Sequence, residues 1–239
     1  MSLLISGDLR LAKGQPVPND PNFAFNSLLL HGNGTNGSTV ITDSSGSPKT
    51  VTAVGNAQIS TAIADPFGNA SAGVILLDGT GDYLTIPIMP IIGSLEDFTA
   101  EAWVYPTVRD NSGYSIVFAP LTAAAPDIQL AYDQTTEGSI FFYFGGSAGS
   151  PSGTAVTRNA WHHLAWVRTS GTCMAFVNGT RLVNAAVSNT VSAAIRTVGR
   201  YASGGFEVNG YMSDIRITQG VARYTTASFT PPTAPFPDF

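Results

Sequence analysis

Residues 161–168 read Trp-His-His-Leu-Ala-Trp-Val-Arg, and a second apolar run at 173–177 leads into Asn178-Gly179. Apolar side chains fall on both alternating faces of the first run, which is typical of a central β-strand that is covered on both sides. Asn-Gly supplies the positive φ angles of a tight hairpin turn. The pattern therefore predicts adjacent antiparallel strands inside a buried β-sandwich, with Trp161 and Trp166 as core anchors on opposite faces of one strand.

Composition limits the partners that this chain can bind. The 239 residues are 44% hydrophobic, which is ample for one β domain, and only 11% charged. The eleven Lys and Arg are scattered singly, whereas phosphate binding needs clustered basic residues, so we expect no nucleic-acid partner. No apolar run approaches the roughly 18 residues of a membrane span, and the first residues lack the features of a signal peptide. We therefore expect no membrane association and no export.

The chain divides by composition into two parts. Residues 1–25 are interrupted by Pro16, Pro18 and Pro21, which predicts an extended N-terminal arm or linker. Residues 26–239 consist of short β-like segments separated by Gly, Pro, Asn and Ser turns, at the spacing of a sandwich. Strands are expected at 39–42 and 154–157 among other places, and the one weak helical signal is a single turn at 91–97.

Several further motifs stand in the order found in one known superfamily: Leu77–Leu84, Phe98–Val104, Val198–Arg200 and Asn209–Arg216. Together with residues 161–179 they resemble the signature of the laminin-G-like, concanavalin A-like jelly-roll superfamily. The resemblance covers roughly residues 26–239. It implies an all-β, two-sheet antiparallel jelly-roll sandwich, here with an N-terminal extended arm.

The end of the sequence carries a narrower resemblance. Residues 216–224 and the Pro-rich segment 229–237 resemble the closing segment of laminin-G-like domains in bacteriophage virion proteins, tail-fibre and capsid-associated ones among them. Closely spaced prolines favour an extended strap lying over the sandwich. The resemblance implies a non-enzymatic structural protein of the phage particle, either a capsid decoration or a tail-fibre or spike component. Its partners would be other virion proteins and further copies of itself, and it would be made in the host cytoplasm.

A lectin module that binds host surface glycan is the alternative function. The odd positions of the strand at 97–105 share one face, which brings together Glu101, Trp103 and Tyr105. Aromatic rings beside a carboxylate form a plausible platform for stacking sugars. The same pattern also suits a face that packs beneath loops, with Glu101 hydrogen-bonded to a neighbour.

Glycoside hydrolysis is the third hypothesis, and the acid spacing argues against it. The reaction needs two carboxylates about 5–10 Å apart. Asp97 and Glu101 are the acids that share a face of this strand, and at ~3.3 Å rise per residue they lie about 13 Å apart. We therefore expect that the protein is not an enzyme.

Calcium is the one cofactor that the resemblance allows. Laminin-G-like domains often bind it through loop Asp and Asn oxygens, and the candidates are Asp78, Asp82 and Asn33. His162 and His163 are adjacent on a strand and point to opposite faces, so they cannot chelate one ion together. Cys173 is the only cysteine and lies in an apolar run, which predicts a buried structural thiol.

Overall fold

A computed structural model describes residues 19–86, 96–107, 113–121, 128–133, 140–145, 147–149, 156–187, 194–201 and 204–239. These residues form one short 3-10 turn, Phe23–Phe25, and fifteen strands. The strands are β1 Asn26–Leu30, β2 Thr52–Val54, β3 Gln58–Ser60, β4 Val74–Asp78, β5 Tyr83–Thr85, β6 Phe98–Pro106, β7 Tyr114–Ala119, β8 Ile128–Asp133, β9 Ile140–Phe144, β10 Ser147–Gly149, β11 His162–Thr169, β12 Thr172–Val177, β13 Thr180–Ala186, β14 Thr197–Val198 and β15 Asn209–Gln219.

Two antiparallel sheets make up the domain. The first has eight strands in the order β13-β12-β11-β6-β15-β4-β3, with β1 also paired to β15. The second has seven strands in the order β10-β9-β8-β7-β14-β5-β2. This arrangement confirms the predicted all-β, two-sheet sandwich. Among the described residues, no helix is long and apolar enough to cross a membrane.

The predicted hairpin lies at the turn between β12 and β13. Asn178 and Gly179 have φ angles of 48° and 76°, as an Asn-Gly turn requires. The Asn178 side-chain oxygen accepts a hydrogen bond from the His163 backbone N–H at 2.9 Å, which ties this turn to β11. A side chain at Gly179 would collide with the carbonyl of Phe229, so glycine is also required by close packing.

Both sheets contribute aromatic rings to the core between them. Trp166 is fully buried there, edge-on to Phe98 at 4.9 Å and stacked on Phe142 at 5.7 Å between ring centroids. Cys173 is buried in the same core, and burial raises the pKa of its thiol to about 12, so it stays protonated. Trp161 precedes β11 and is only half-buried, which makes it less of a core anchor than Trp166.

The chain itself covers the outer face of the first sheet. After β15, Tyr224 and Phe229 stack on each other at 3.6 Å and pack against Phe176 of β12. The Pro-rich strap begins at Phe229, whose N–H donates to the Gly179 carbonyl, and continues to Phe236, whose N–H donates to the Asp214 carboxylate at 2.9 Å. It therefore crosses this face from the β12–β13 turn to the middle of β15.

Two of the predicted strands differ from what is observed. Residues 39–42 are not a strand, because the Asp43 carboxylate accepts the Leu29 N–H at 3.0 Å and so replaces a strand-to-strand bond. Residues 156–157 are irregular, and 154–155 lie outside the described residues. The helical turn proposed at 91–97 lies mostly outside them as well.

The folded unit begins earlier than the predicted boundary at residue 26. Residues 1–18 lie outside the described part of the chain, but Asp20 is only 6% exposed. Its carboxylate binds Arg223 through two hydrogen bonds of 2.7 and 3.0 Å, and its N–H donates to the Phe239 carbonyl. Asp20 therefore belongs to the sandwich and not to a separate arm.

Candidate functional site

Glu101 lies at the centre of a buried ion-pair network on the outer face of the first sheet. Strand register places Arg216 of β15 directly opposite Glu101 of β6. The guanidinium donates to Glu101 Oε1 at 2.9 Å, and the Tyr224 hydroxyl donates to Oε2 at 2.8 Å. His163 Nε2 lies 3.1 Å from the same Oε2. Both carboxylate oxygens of Glu101 are therefore hydrogen-bonded within the protein.

The electrostatics of this network keep Glu101 ionised. Burial alone would raise the pKa of the carboxyl group, but the charge of Arg216 and the contact with His163 outweigh burial and lower the pKa to about 2. Because Glu101 is fully buried and both oxygens are bonded, it offers no surface to a sugar. A carboxylate with so low a pKa is also unsuited to act as the general acid of a glycosidase.

The other two residues of the predicted glycan platform are covered as well. Trp103 is 9% exposed and meets the ring of Phe67, in the loop after β3, edge-on at 5.9 Å. Tyr105 is half-buried between Trp161 and Tyr211. Glu101, Trp103 and Tyr105 do share one face, as the alternation predicts, but that face packs beneath loops. This is the second of the two arrangements that the sequence allowed.

The structure brings two of the three candidate calcium ligands, Asp78 and Asp82, close to each other and places Asn33 elsewhere. The Asp82 carboxylate is fully buried and accepts the backbone N–H groups of Asn56 and Asp78 at 2.6 and 3.0 Å. Asp78 in turn binds Thr80 N–H and the Asn56 amide. Asp78 ends β4 and Asp82 immediately precedes β5, whereas Asn33 follows Gly32, which lies close to Ile75 near the start of β4. Among the described residues, no three His, Cys, Asp or Glu side chains are grouped to hold a metal ion.

The second sheet carries a different surface, which we call the aromatic face. Phe141 and Tyr143 of β9 alternate with Ile140, Phe142 and Phe144, which point into the core. Phe141 and Tyr143 therefore project outward. With Tyr114 of β7 and the loop residues Tyr201 and Phe206, they form the aromatic face, a row with successive ring centroids 4.6 to 6.5 Å apart. Tyr114 is 43% exposed, Tyr143, Tyr201 and Phe206 are half-buried, and Phe141 is 8% exposed.

The loop between β14 and β15 completes this face through backbone bonds. Ile116 N–H donates to the Phe206 carbonyl at 2.9 Å, and the Ser115 hydroxyl donates to the Glu207 carbonyl at 3.0 Å. Phe206 has a φ angle of 58°, a left-handed conformation that is uncommon for a bulky residue and is often associated with functional sites. Arg200 and Glu207, the sequence neighbours of Tyr201 and Phe206, form an ion pair at 3.5 Å, and the Arg200 guanidinium lies over the ring of Tyr83.

Sequence reasoning missed the aromatic face. The outward positions of β9 could have been found from the period-two alternation at 140–144. Tyr201 and Phe206, however, reach the sheet from an irregular loop, and no periodic signal assigns a loop residue to a face.

These observations define a lectin-like β-sandwich with one outer face closed by its own chain and the other lined with aromatic rings. The chain belongs to the concanavalin A-like lectin/glucanases superfamily, whose laminin G family model matches residues 78–223. This establishes the laminin-G-like family that the sequence motifs indicated. No curated protein sequence gives a match.

Solved structures share the fold at low sequence identity. The botulinum neurotoxin serotype D binding domain superposes with a TM-score of 0.61 at 14% identity, covering 85% of this chain and 50% of that one. Domain 4 of AbnA, a GH43 extracellular arabinanase from Geobacillus stearothermophilus, was solved in complex with arabinotriose. It superposes with a TM-score of 0.55 at 16% identity, covering 82% of this chain and 94% of that one. Trypanosoma rangeli sialidase superposes with a TM-score of 0.54 at 16% identity, covering 87% of this chain and 32% of that one. The chain thus spans about half of the neurotoxin binding domains.

Proposed function

We propose that this domain is a non-enzymatic carbohydrate-binding module and that the aromatic face is its glycan site. The outward-facing row of rings on the second sheet carries this proposal, with Tyr114 as its accessible ring, because the matching face of the first sheet is closed by the chain itself. Family membership supports a binding role. Domain 4 of the arabinanase was solved with arabinotriose, and a further neurotoxin with this fold depends on two ganglioside molecules for cell entry.

The chemistry of the aromatic face suits a sugar chain. Aromatic rings bury the C–H faces of sugars, while polar groups at the edge orient hydroxyls. Tyr114 and Tyr143 offer both an apolar ring and a hydroxyl. Arg200 and Glu207 are adjacent in sequence to Tyr201 and Phe206 and carry a donor and an acceptor. A row of several rings favours an oligosaccharide over a single sugar.

Tyr114→Ala tests the proposal, because Tyr114 is the most accessible ring of the row. We expect glycan affinity to fall by about tenfold, since an aromatic contact contributes about 1 kcal/mol beyond its area and 1.4 kcal/mol is a factor of ten. The measurement is a glycan array, followed by calorimetry on the best ligand. Phe25→Ala is the matched control, because Phe25 is 51% exposed but lies on the 3-10 turn near Gly220. Equal affinity of the two variants would exclude the aromatic face.

We also propose that the module is carried on a phage particle, as a capsid decoration or a tail-fibre or spike component. The resemblance of residues 216–237 to virion proteins favours this placement, and so does a surface with few charges, since large like-charge fields oppose dense packing. Its partners would then be further copies and other virion proteins. Cryo-electron microscopy of the particle made by the genome that encodes this chain should reveal the sandwich on the capsid or tail. Particles that lack it would contradict the placement.

A further inference from the structure

A second candidate site, a cleft, lies on the opposite side of the molecule from the second sheet. Loop residues Asn33, Asp65 and Asn69 form one wall of a cleft of about 470 Å³, and residues 234–239 form the other. Its volume falls within the range of about 300–1,000 Å³ that is usual for ligand pockets. Pro235 and Pro237 line it beside these polar groups, so the cleft has both apolar surface and hydrogen-bonding capacity.

Polar groups at the rim of this cleft remain available for a ligand. Within the described residues, the Asn33 side-chain amide makes no hydrogen bond, and Asn69 uses only its Oδ1, which accepts the Ser71 N–H at 3.0 Å. Asp238 is 58% exposed and uses one carboxylate oxygen. Residues that line one cleft thus carry two amide groups and one carboxylate oxygen that make no hydrogen bond within the described part of the chain. Amides donate to hydroxyls and a carboxylate accepts from them, which is the pairing that a polyol needs.

His31 fixes the position of Asp238. Its ring contacts Asp214 Oδ1 through Nδ1 at 2.8 Å and Asp238 Oδ1 through Nε2 at 2.6 Å. Only the imidazolium form can donate from both nitrogens. Burial by itself would lower the pKa of His31, but the two carboxylates outweigh it and raise the pKa above 6.5. Asp238 Oδ2 makes no hydrogen bond within the described residues and is available to accept one from a hydroxyl.

A bulge in β15 brings these groups together. β15 pairs with β4 up to Met212 and with β1 from Ile215, and Asp214 stands between the two pairings with a φ angle of 43°. This turns its carboxylate toward His31, which follows β1. Phe236, in the same segment as Asp238, is only 4% exposed, and the Arg216 guanidinium lies 3.7 Å from its ring centroid. The wall that holds Asp238 is thus anchored to the sheet.

The charge of the cleft restricts what it can bind. Its lining includes the carboxylates of Asp65, Asp214 and Asp238 and one imidazole, that of His31. Even when His31 is protonated, the net charge of these lining side chains is negative, and a negative charge repels anionic ligands. We propose that this cleft is a second binding site, for a single uncharged sugar ring, with Asp238 as the acceptor and the amides of Asn33 and Asn69 as donors. It is independent of the aromatic face.

Nuclear magnetic resonance on the full chain tests this assignment. Glucose, galactose and mannose are titrated into the protein in separate experiments, and the uronic acid that corresponds to each hexose is titrated in a parallel experiment. The side-chain amide signals of Asn33 and Asn69 are followed in each titration. At least one hexose should give saturable shifts, and its uronic acid should bind about tenfold more weakly because of one repulsive charge. No saturable shift with any of the three hexoses, or equal affinity for a hexose and its uronic acid, would overturn the proposal.

Variants separate this site from the aromatic face. Asp238→Asn and Asn33→Ala should each weaken the hexose by about tenfold, as expected when one hydrogen bond to a ligand is lost. Glu96→Gln is the matched control, because it neutralises an exposed carboxylate outside the cleft. Tyr114→Ala should leave the Asn33 and Asn69 shifts unchanged. If Tyr114→Ala abolishes them while Asp238→Asn does not, the hexose occupies the aromatic face and the cleft is not a site.

Discussion

Glu101→Gln should lower the free energy of unfolding by about 3–5 kcal/mol, the usual effect of removing one partner from a buried ion pair. The substitution keeps the shape of the side chain but leaves Arg216 and His163 without the carboxylate that they share. Among the described residues, Asp20 at 3.3 Å is the acid that remains paired with Arg216. Urea denaturation monitored by tryptophan fluorescence measures the loss, and an unchanged m-value would show that the unfolded state is unaffected.

Glu96→Gln provides the control for this experiment, because Glu96 is exposed and its change should stay within about 0.5 kcal/mol. The two variants should also differ in their pH dependence. The folded-state pKa of Glu101 is lowered to about 2 from 4.5, so its contribution is complete above pH 4.5 and is lost as the pH falls toward 2. Glu101→Gln should lack this share of the acid destabilisation. Similar losses in both variants would mean that the network contributes little.

The burial of Glu101 shows where prediction from sequence stops. Period-two alternation correctly assigned Glu101, Trp103 and Tyr105 to one face, because side-chain direction in a strand is a local property. The residues that cover that face, by contrast, come from distant parts of the sequence. Asp20 and Arg223, which enclose the network, are 203 residues apart in sequence, and Tyr224 reaches Glu101 across 123 residues. An aromatic and acidic strand face therefore has the same pattern whether it binds sugar or lies beneath the chain.

The two candidate ligand sites escaped prediction for the same reason. The cleft combines His31 after β1, Asp214 in a bulge of β15 and Asp238 beyond the strap, and no short motif joins them. The aromatic face depends on a loop that is held to β7 by backbone bonds. By contrast, the Asn178-Gly179 turn and the central position of β11 follow from adjacent residues, and both could be predicted from the sequence.

Trp166→Ala should cost about 3–5 kcal/mol of stability, the range for truncating a buried aromatic side chain. Trp166 is fully buried and contacts Phe98, Phe142 and Phe144, so it joins the two sheets. Truncation would leave a cavity between sheets that cannot close without moving strands of both. Since a typical domain is stable by ~5–15 kcal/mol, a low melting temperature and poor yield should follow.

Trp161→Ala is the matched comparison, because the same side chain is removed five positions away on the outer side of the first sheet. Trp161 is half-buried, donates one hydrogen bond to the Ala64 carbonyl at 3.0 Å and meets Tyr105 edge-on. Its loss should cost about 1–2 kcal/mol, from one hydrogen bond and one ring contact. Thermal and urea unfolding of both variants measure the difference. Equal destabilisation would mean that the loop over Trp161 is as integral to the fold as the core between the sheets.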